Sequence, residues 1–207
     1  MTTAASSAEA TASAYDLIAE RWLDRNFGRQ DGVAQHARAL AFLDDAAAGW
    51  ALNVGCGCNT RFNALLRGRG LALEGIDVSG RMLALARVAD PDVVLHQADV
   101  CNWPPPRRYR FISAWDSIWH VRLDRQRALL RGLMATLEPR GVFVFSAGGL
   151  DAAGEHCDDA MGPEVYYATL GIPGLLEVIR ESGCVCRHLE FDQWPQNHLV
   201  LIVQRGA

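Results

Sequence analysis

Apolar residues recur with helical spacing through the first quarter of the chain. The first run consists of Tyr15, Ile18, Ala19, Trp22 and Phe27. Gly28 ends this run, and the pattern predicts a second helix over residues 33–47. We expect residues 14–47 to form a helical lid. Residues 1–13, which are rich in alanine, serine and threonine, are expected to be a disordered tail.

From residue 48 onward, short apolar runs alternate with helical patterns. The predicted strands cover residues 50–54, 71–76, 93–95, 111–115 and 141–145. Strands that are apolar throughout and separated by helices are typical of a parallel sheet covered on both faces. Segment 104–109 is the weakest connection, because it is too short and too rich in proline for a good crossover helix.

The last part of the chain departs from this alternation. A predicted helix over about 173–182 stops at Gly183, and strands 184–191 and 198–203 follow with only a short turn-rich link between them. A parallel crossover needs about a dozen residues, so this pair should be antiparallel. The predicted fold is α/β: a three-layer sandwich with a seven-stranded, mostly parallel sheet, a reversed last strand and an N-terminal helical lid.

The composition narrows the choice of partners. The net charge is −4, and the only dense basic run, at Arg107, Arg108 and Arg110, follows three prolines and is expected to be a solvated loop. Neither nucleic acid nor a membrane is an expected partner. Residues 1–13 lack the basic start and the long apolar stretch of a secretory signal, so none is expected, and no window approaches the ~20 apolar residues of a membrane span. We expect a cytoplasmic protein whose six cysteines are reduced thiols.

The cysteines raise the alternative of a site for a soft ion. Cys184 and Cys186 lie two residues apart on a predicted strand and face the same side, and His156 with Cys157 could join them. No Cys-x-x-Cys spacing exists, however, and cysteine is a common small core residue. We therefore expect no metal site.

Three features follow the first three predicted strands. Gly55 and Gly57 lie in a loop where glycine allows close backbone approach to a ligand. Asp77 ends the second strand, where a carboxylate can accept hydrogen bonds from ribose hydroxyls, and Asp99 after the third could accept from an adenine amino group. Each has a structural alternative: a tight turn, a helix cap or a strand end. Together, at the strand ends where open α/β sheets bind ligands, they favour an adenosine site.

With the order of elements and the reversed final strand, these residues resemble the class I S-adenosylmethionine-dependent methyltransferases over about residues 48–205. The resemblance implies a domain over residues 48–207 with S-adenosylmethionine as its cofactor. It implies cofactor contacts from Asn53, Gly55, Gly57, Asp77, Val78, Met82, Asp99, Val100 and Trp115. Asn53 and Asn59 depart from the family pattern, which often has an acidic residue and a third glycine at these positions. A neutral Asn53 should bind the ammonium group of the cofactor more weakly than a carboxylate would.

The fourth predicted strand runs into a segment, residues 115–120, where this family usually meets the transferring methyl group. We consider His120 as a general base and Asp116 as the residue that orients an acceptor amine or hydroxyl. The Trp115 ring could hold the sulfonium through cation–π attraction. His120 could instead cap the next helix, and Trp115 could be an ordinary core residue.

The connection 148–171 is long for a compact domain, which favours an acceptor lid over a solvent-exposed excursion, the alternative. The residues expected to contact the acceptor are Tyr15, Trp119, His156, Tyr166 and Tyr167.

The sequence therefore predicts methyl transfer to an unidentified small molecule by a monomer or homodimer. An NAD-dependent oxidoreductase is one alternative, although Thr60 replaces the third glycine of a dinucleotide loop and the last strand is reversed. A methyltransferase-like protein that binds the cofactor but regulates a partner is another. A nucleic-acid methyltransferase is disfavoured, because the sequence has no basic stripe.

Overall fold

The computed structural model describes residues 7–24, 30–44 and 48–207. Its helices are α1 (Ala8–Asp24), α2 (Val33–Leu40), α3 (Asn63–Arg67), α4 (Gly80–Ala89), α5 (Leu123–Thr136) and α6 (Gly171–Glu181), with a short 3-10 helix at Ile118–His120. Its strands are β1 (Gly49–Val54), β2 (Leu71–Asp77), β3 (Val94–Gln97), β4 (Tyr109–Ala114), β5 (Leu137–Gly148), β6 (Gly154–Asp158), β7 (Val165–Thr169), β8 (Cys184–Phe191) and β9 (His198–Arg205).

Seven strands form one sheet in the order β3-β2-β1-β4-β5-β9-β8. The pairs from β3 to β5 are parallel, whereas β9 is antiparallel to both β5 and β8. The predicted seven-stranded, mostly parallel sheet with a reversed last strand is confirmed. Because β9 runs backwards, its first residue, His198, lies at the same sheet edge as the last residues of the parallel strands, and it pairs with Gly148 at the end of β5.

Alternating side chains of the central strands pack on opposite faces of the sheet. On β5, Phe143 and Phe145 lie in one cluster with α5 and α6, while Val142 and Val144 lie in the other with α2 and residues around α3. This period of two is what a strand buried on both faces requires. The result is the expected three-layer arrangement.

The first helix begins earlier than predicted. Residues 8–13 were expected in the tail, but α1 starts at Ala8, because Ser7 Oγ accepts a hydrogen bond from the Ala10 amide at 3.0 Å and caps the helix. The second helix is shorter than predicted, since α2 ends at Leu40. Phe27 and Gly28, and residues 45–47 of the predicted second helix, lie outside the described residues.

The connection 148–171 contains a second, two-stranded sheet formed by β6 and β7. The run Val165–Thr169 is rich in β-branched and aromatic residues, which favours a strand, but charged residues dominate β6 and obscure its pattern. Segment 104–109 contains no helix, in agreement with its proline content. Among the described residues, no helix has both the length and the apolar character needed to cross a membrane.

Candidate active site

A cavity of about 330 Å³ lies at the carboxyl ends of the parallel strands, which is within the size range of small-molecule sites. Nine residues predicted to bind a cofactor line this single cavity: Asn53, Gly55, Gly57, Asp77, Val78, Met82, Asp99, Val100 and Trp115. Asp116, His120 and Tyr15 also line it, so the structure brings the predicted cofactor residues and the predicted catalytic residues together.

The loop after β1 requires glycine at position 55 for two reasons. Its φ is +65°, a conformation that other residues adopt at a cost, and a Cβ added there would overlap Cβ of Ser117. The Gly55 amide donates to the carbonyl oxygen of Ile76 at 2.8 Å, which ties the loop to β2. Gly57 also has a positive φ, +55°, but a Cβ there would meet no atom within 4 Å, so this glycine faces open space.

Asp77 is held by backbone amides on both sides. Its Oδ2 accepts from the Gly57 amide and its Oδ1 from the Ser79 amide, each at 2.8 Å. Burial raises the pKa of Asp77, while these amide hydrogen bonds act in the opposite direction. Ser79 Oγ accepts from the Met82 amide and caps α4, so the cap that was an alternative role for Asp77 belongs to Ser79. Each Asp77 oxygen keeps a second lone pair for a ligand hydroxyl.

Two further polar side chains near the cavity, Asp99 and Asn59, have hydrogen-bond partners that are close in sequence. Asp99 Oδ1 accepts from the Cys101 amide at 2.9 Å and Oδ2 from the Asn102 side chain at 2.7 Å, which holds the turn after β3. Asn59 Oδ1 accepts from the Arg61 amide at 2.8 Å, so this asparagine has a structural role where the family often has glycine.

Helix α1 covers the cavity, and Tyr15 and Trp22 lie on its cavity side. It is fastened to the start of α4: Asp16 Oδ1 accepts from Ser79 Oγ at 2.5 Å and from the Arg81 amide at 3.0 Å. Glu20 forms an ion pair with Arg81. Helix α1, which forms the roof of the cavity, is therefore attached to the same turn that holds Asp77.

His120 has a defined tautomer. Its Nδ1 lies 2.9 Å from the carbonyl oxygen of Tyr166, which can only accept, so Nδ1 has the proton. Its Nε2 accepts from the Trp119 indole at 3.0 Å and lies 2.8 Å from the Tyr15 hydroxyl, which donates to it. Burial lowers the pKa of His120 to about 4. With its lone pair already engaged, His120 orients the Tyr15 hydroxyl in this arrangement rather than offering a free base. Burial also raises the pKa of Tyr15 well above its ordinary value, which keeps the hydroxyl protonated.

Asp116 belongs to a buried hydrogen-bonded chain of three side chains, Asp116, His198 and Asp192, called the relay below. It was not predicted from the sequence. Its Oδ1 lies 2.9 Å from Nε2 of His198, whose Nδ1 lies 2.5 Å from Oδ1 of Asp192. Burial by itself lowers the pKa of His198, but hydrogen bonds to the two carboxylates and their charges outweigh burial, so the pKa is raised. The predicted reversal of the last strand was the one signal for His198, because it places the start of β9 at the site edge.

The residues that pack around Trp115 were also not predicted from the sequence. This buried ring lies 5.4 Å from the ring of His36 and 6.3 Å from that of Phe62. Its Nε1 is buried and has no hydrogen-bond acceptor among the described residues. His36 bridges Gly32 and Ser113, and burial lowers its pKa to about 3. The guanidinium of Arg61 lies over Phe62 at 4.8 Å, and Arg61 also lines the cavity.

The remaining residues predicted to contact the acceptor lie around His120, outside the cavity lining. The hydroxyl of Tyr166 accepts from the Leu123 amide at 3.0 Å and donates to Glu155, so this buried residue positions the β6–β7 hairpin. The ring of Tyr167 packs 4.9 Å from that of His120, and exposed His156 stacks on Tyr167. The Trp119 ring lies 5.5 Å from that of His198. None of these four residues is among those that line the cavity.

Two of the three cysteines considered for a soft ion pack in the core, whereas Cys157 lies half-buried in β6. Cys184 is buried and Cys186 packs against the same apolar cluster, and burial raises the pKa of both thiols. Within the described part of the chain, no three His, Cys, Asp or Glu residues are grouped so that they could hold a metal ion.

Residues 51–141 match a family model described as a methyltransferase domain. A curated relative, dTDP-3-amino-3,6-dideoxy-alpha-D-glucopyranose N,N-dimethyltransferase of Streptomyces fradiae, is 30% identical over 64% of this chain and 51% of its own length. Trans-aconitate 2-methyltransferase of Escherichia coli is 28% identical over 72% of this chain and 63% of its own length. The chain thus spans between half and two thirds of the length of these relatives.

Solved structures show the same fold. An amino pentose methyltransferase of Micromonospora echinaspora from calicheamicin biosynthesis, solved with S-adenosylmethionine bound, superimposes with a TM-score of 0.68 at 20% identity. The match covers 91% of this chain and 96% of that structure.

Proposed function

We propose that the chain is a class I S-adenosylmethionine-dependent methyltransferase that transfers a methyl group from S-adenosylmethionine to a small molecule. The observation that supports this most is that one cavity gathers the glycine loop, Asp77 and Asp99 from three successive strand ends, under the roof of α1. The relatives named above act on small molecules by their names.

The residues present fit the cofactor. Open space beside Gly57 leaves room for close approach, and Gly55 shapes the loop for the methionine portion. Asp77 would hold the ribose through its remaining lone pairs, and Asp99 with Val100 would border the adenine. Asn53 and Trp115 complete the predicted set, with Val78 and Met82. When bound, the cofactor supplies an electrophilic methyl group on a sulfonium.

The main task of the chain itself is to position a nucleophile in line with that methyl group. Helix α1 covers the cavity, and the Tyr15 hydroxyl, oriented by His120, can bond an acceptor from that side. Asp116 also lines the cavity.

We propose a small molecule rather than nucleic acid as the acceptor, because the basic run is used within the fold. Arg107 stacks on Trp50 at 3.7 Å and pairs with Glu74, and Arg108 donates to the carbonyl oxygen of Ala135. Arg110 donates to the carbonyl oxygen of Asp44. Cytoplasmic location and a monomeric or homodimeric state stay predictions, and size-exclusion chromatography tests the second.

Isothermal calorimetry with S-adenosylmethionine and S-adenosylhomocysteine tests the cofactor. We expect saturable heat and a thermal shift, and the absence of both at millimolar cofactor would refute the proposal. A screen of small O-, N-, S- and As-acceptors, read by S-adenosylhomocysteine release, then tests the activity. Firm cofactor binding with no release for any acceptor class would support the regulatory alternative instead.

A further inference from the structure

Asp116 connects the cavity to a buried charge pair. It lines the cavity, and its Oδ1 lies 2.9 Å from Nε2 of His198 and accepts from Ser146 Oγ at 3.2 Å. Its amide donates to the same Ser146 oxygen at 2.8 Å. The φ of Asp116 is +53°, an uncommon conformation for a residue with a side chain. The contacts to Ser146 and His198 hold the residue in this conformation.

His198 is enclosed on every side that the structure describes. Its side chain is 8% exposed, and Asp116 and Asp192 face its two ring nitrogens. The rings of Trp115 and Trp119 lie 5.4 Å and 5.5 Å away. Ionised carboxylates only accept hydrogen bonds, so both ring nitrogens must donate, and the ring is an imidazolium.

The charges of this relay select among acceptor atoms. Two carboxylates and one imidazolium leave one net negative charge, which Asp116 presents at the cavity. A carboxylate is a much weaker base than an alkoxide, so Asp116 is ill suited to removing a proton from an alcohol. The same carboxylate attracts an ammonium group and repels a carboxylate acceptor. Arg61 also lines the cavity. Burial lowers its pKa, while the charges of Asp116 and Asp31 act in the opposite direction.

We propose that the acceptor is a primary or secondary amine bound by Asp116, and that His198 and Asp192 are positioning residues that hold Asp116 for this role. The inference rests on the proposed methyltransferase function. The acceptor ammonium first loses one proton to water. The lone pair of the neutral amine then forms the new C–N bond while the C–S bond breaks and its electrons stay on sulfur, which gives S-adenosylhomocysteine. The methylated nitrogen is then an ammonium, which pairs with Asp116 until it leaves or loses its proton to water.

The state of His198 can be measured without any acceptor. Long-range ¹H–¹⁵N NMR of the full chain would follow its ring nitrogens with pH, with His198→Gln used for assignment. We expect a doubly protonated ring that titrates above the ordinary value of about 6.5, and a proton affinity about tenfold lower in Asp192→Asn. Asp192→Glu, which keeps a carboxylate, should restore most of it, and exposed Asp151→Asn should change nothing. A ring that is neutral at pH 6.5 in the unaltered protein would overturn the proposal, whether or not any variant folds.

Matched acceptor pairs test the selectivity. Benzylamine with benzyl alcohol and benzoate, and glucosamine with glucose, would be compared by S-adenosylhomocysteine release. We expect release with amines only. Asp192→Asn should lower kcat/KM for the amine about tenfold or more and leave cofactor affinity unchanged. Release with hydroxyl or carboxylate acceptors alone, or with no amine although the cofactor binds, would overturn this inference and leave cofactor binding standing. Absence of cofactor binding would overturn the proposed function, and this inference with it.

Discussion

The two halves of the cavity are built in different ways. In the cofactor half, the contacts span fewer residues than in the acceptor half and involve backbone amides: Asp99 accepts from an amide two residues away, and Asp77 from one 20 residues away. In the acceptor half, side chains meet over long separations: Tyr15 and His120 are 105 residues apart, and Asp116 and His198 are 82 apart. Local backbone geometry therefore shapes the first half, while the second depends on how distant elements are brought together.

The largest expected effect comes from breaking the backbone geometry of the cofactor half. In Gly55→Ala, the new Cβ overlaps Ser117 and the residue is forced to keep a positive φ, so we expect about 3 kcal/mol of destabilisation and loss of cofactor binding. Gly183→Ala is the matched control, because Gly183 has φ +67° but open space around it. Urea unfolding and calorimetry would compare the two. Equal losses would show that backbone strain, rather than the contact with Ser117, matters at position 55.

The second largest effect is expected from acid, which should lower the free energy of unfolding through the buried histidines His36 and His120. In the unfolded chain His36 and His120 take up protons near pH 6.5, whereas burial lowers their folded pKa to about 3 and about 4. The unfolded state then binds more protons between these values, so stability falls as pH falls below 6.5, by about 2 kcal/mol between pH 6.5 and 5.5. The raised pKa of His198 acts oppositely: its contribution is present below pH 6.5 and is lost as pH rises through the folded pKa.

Chemical unfolding at several pH values checks this. His120→Gln should remove about half of the acid dependence, and exposed His156→Gln should remove none of it. A free energy of unfolding that stays constant from pH 6.5 to 5.5 would contradict neutral, buried histidines.

A side-chain change in the cofactor half should have a narrower effect. In Asp77→Ala, hydrogen bonds to a charged group are lost, worth about 1.5–3 kcal/mol, so S-adenosylmethionine should bind about tenfold more weakly or worse. Calorimetry measures this, with exposed Asp151→Ala as the control. Unchanged affinity would remove Asp77 from the site.

The smallest effect is expected from Tyr15→Phe. The variant loses one hydrogen bond to His120, so stability should fall by about 1 kcal/mol, acceptor kcat/KM should fall several-fold and cofactor affinity should stay the same. Unfolding, calorimetry and steady-state kinetics would separate these quantities. A loss of cofactor affinity as large as in Asp77→Ala would place Tyr15 in the cofactor half. It would contradict the division of the cavity into two halves.

This division explains which parts of the site were predictable. Asp77 and Asp99 directly follow apolar runs, and the ends of parallel strands meet at one edge, so their joint position followed from pattern alone. The fold class followed from the same runs and the short link before β9. The hairpin of β6 and β7 was missed, because charged residues hide its alternation.

The acceptor half could not be predicted in the same way. Whether His120 has a free lone pair depends on the Tyr15 hydroxyl and on a carbonyl group in β7, neither of which is near it in sequence. His198 meets Asp116 only because β9 lies beside β5. Periodicity does not encode the order of strands in the sheet, and this order decides which side chains become neighbours.

The insertion of β9 also sets an order of events during synthesis. Strand β8 leaves the ribosome before β9, yet its neighbour in the sheet is β9, which lies between it and β5. Until β9 is made, β8 has no partner in the sheet and one edge of β5 stays open, a state that invites wrong pairing with other chains. The strand that closes this gap begins with His198. Completion of the sheet and completion of the charge relay at Asp116 are therefore one event, and a nascent chain without β9 has neither.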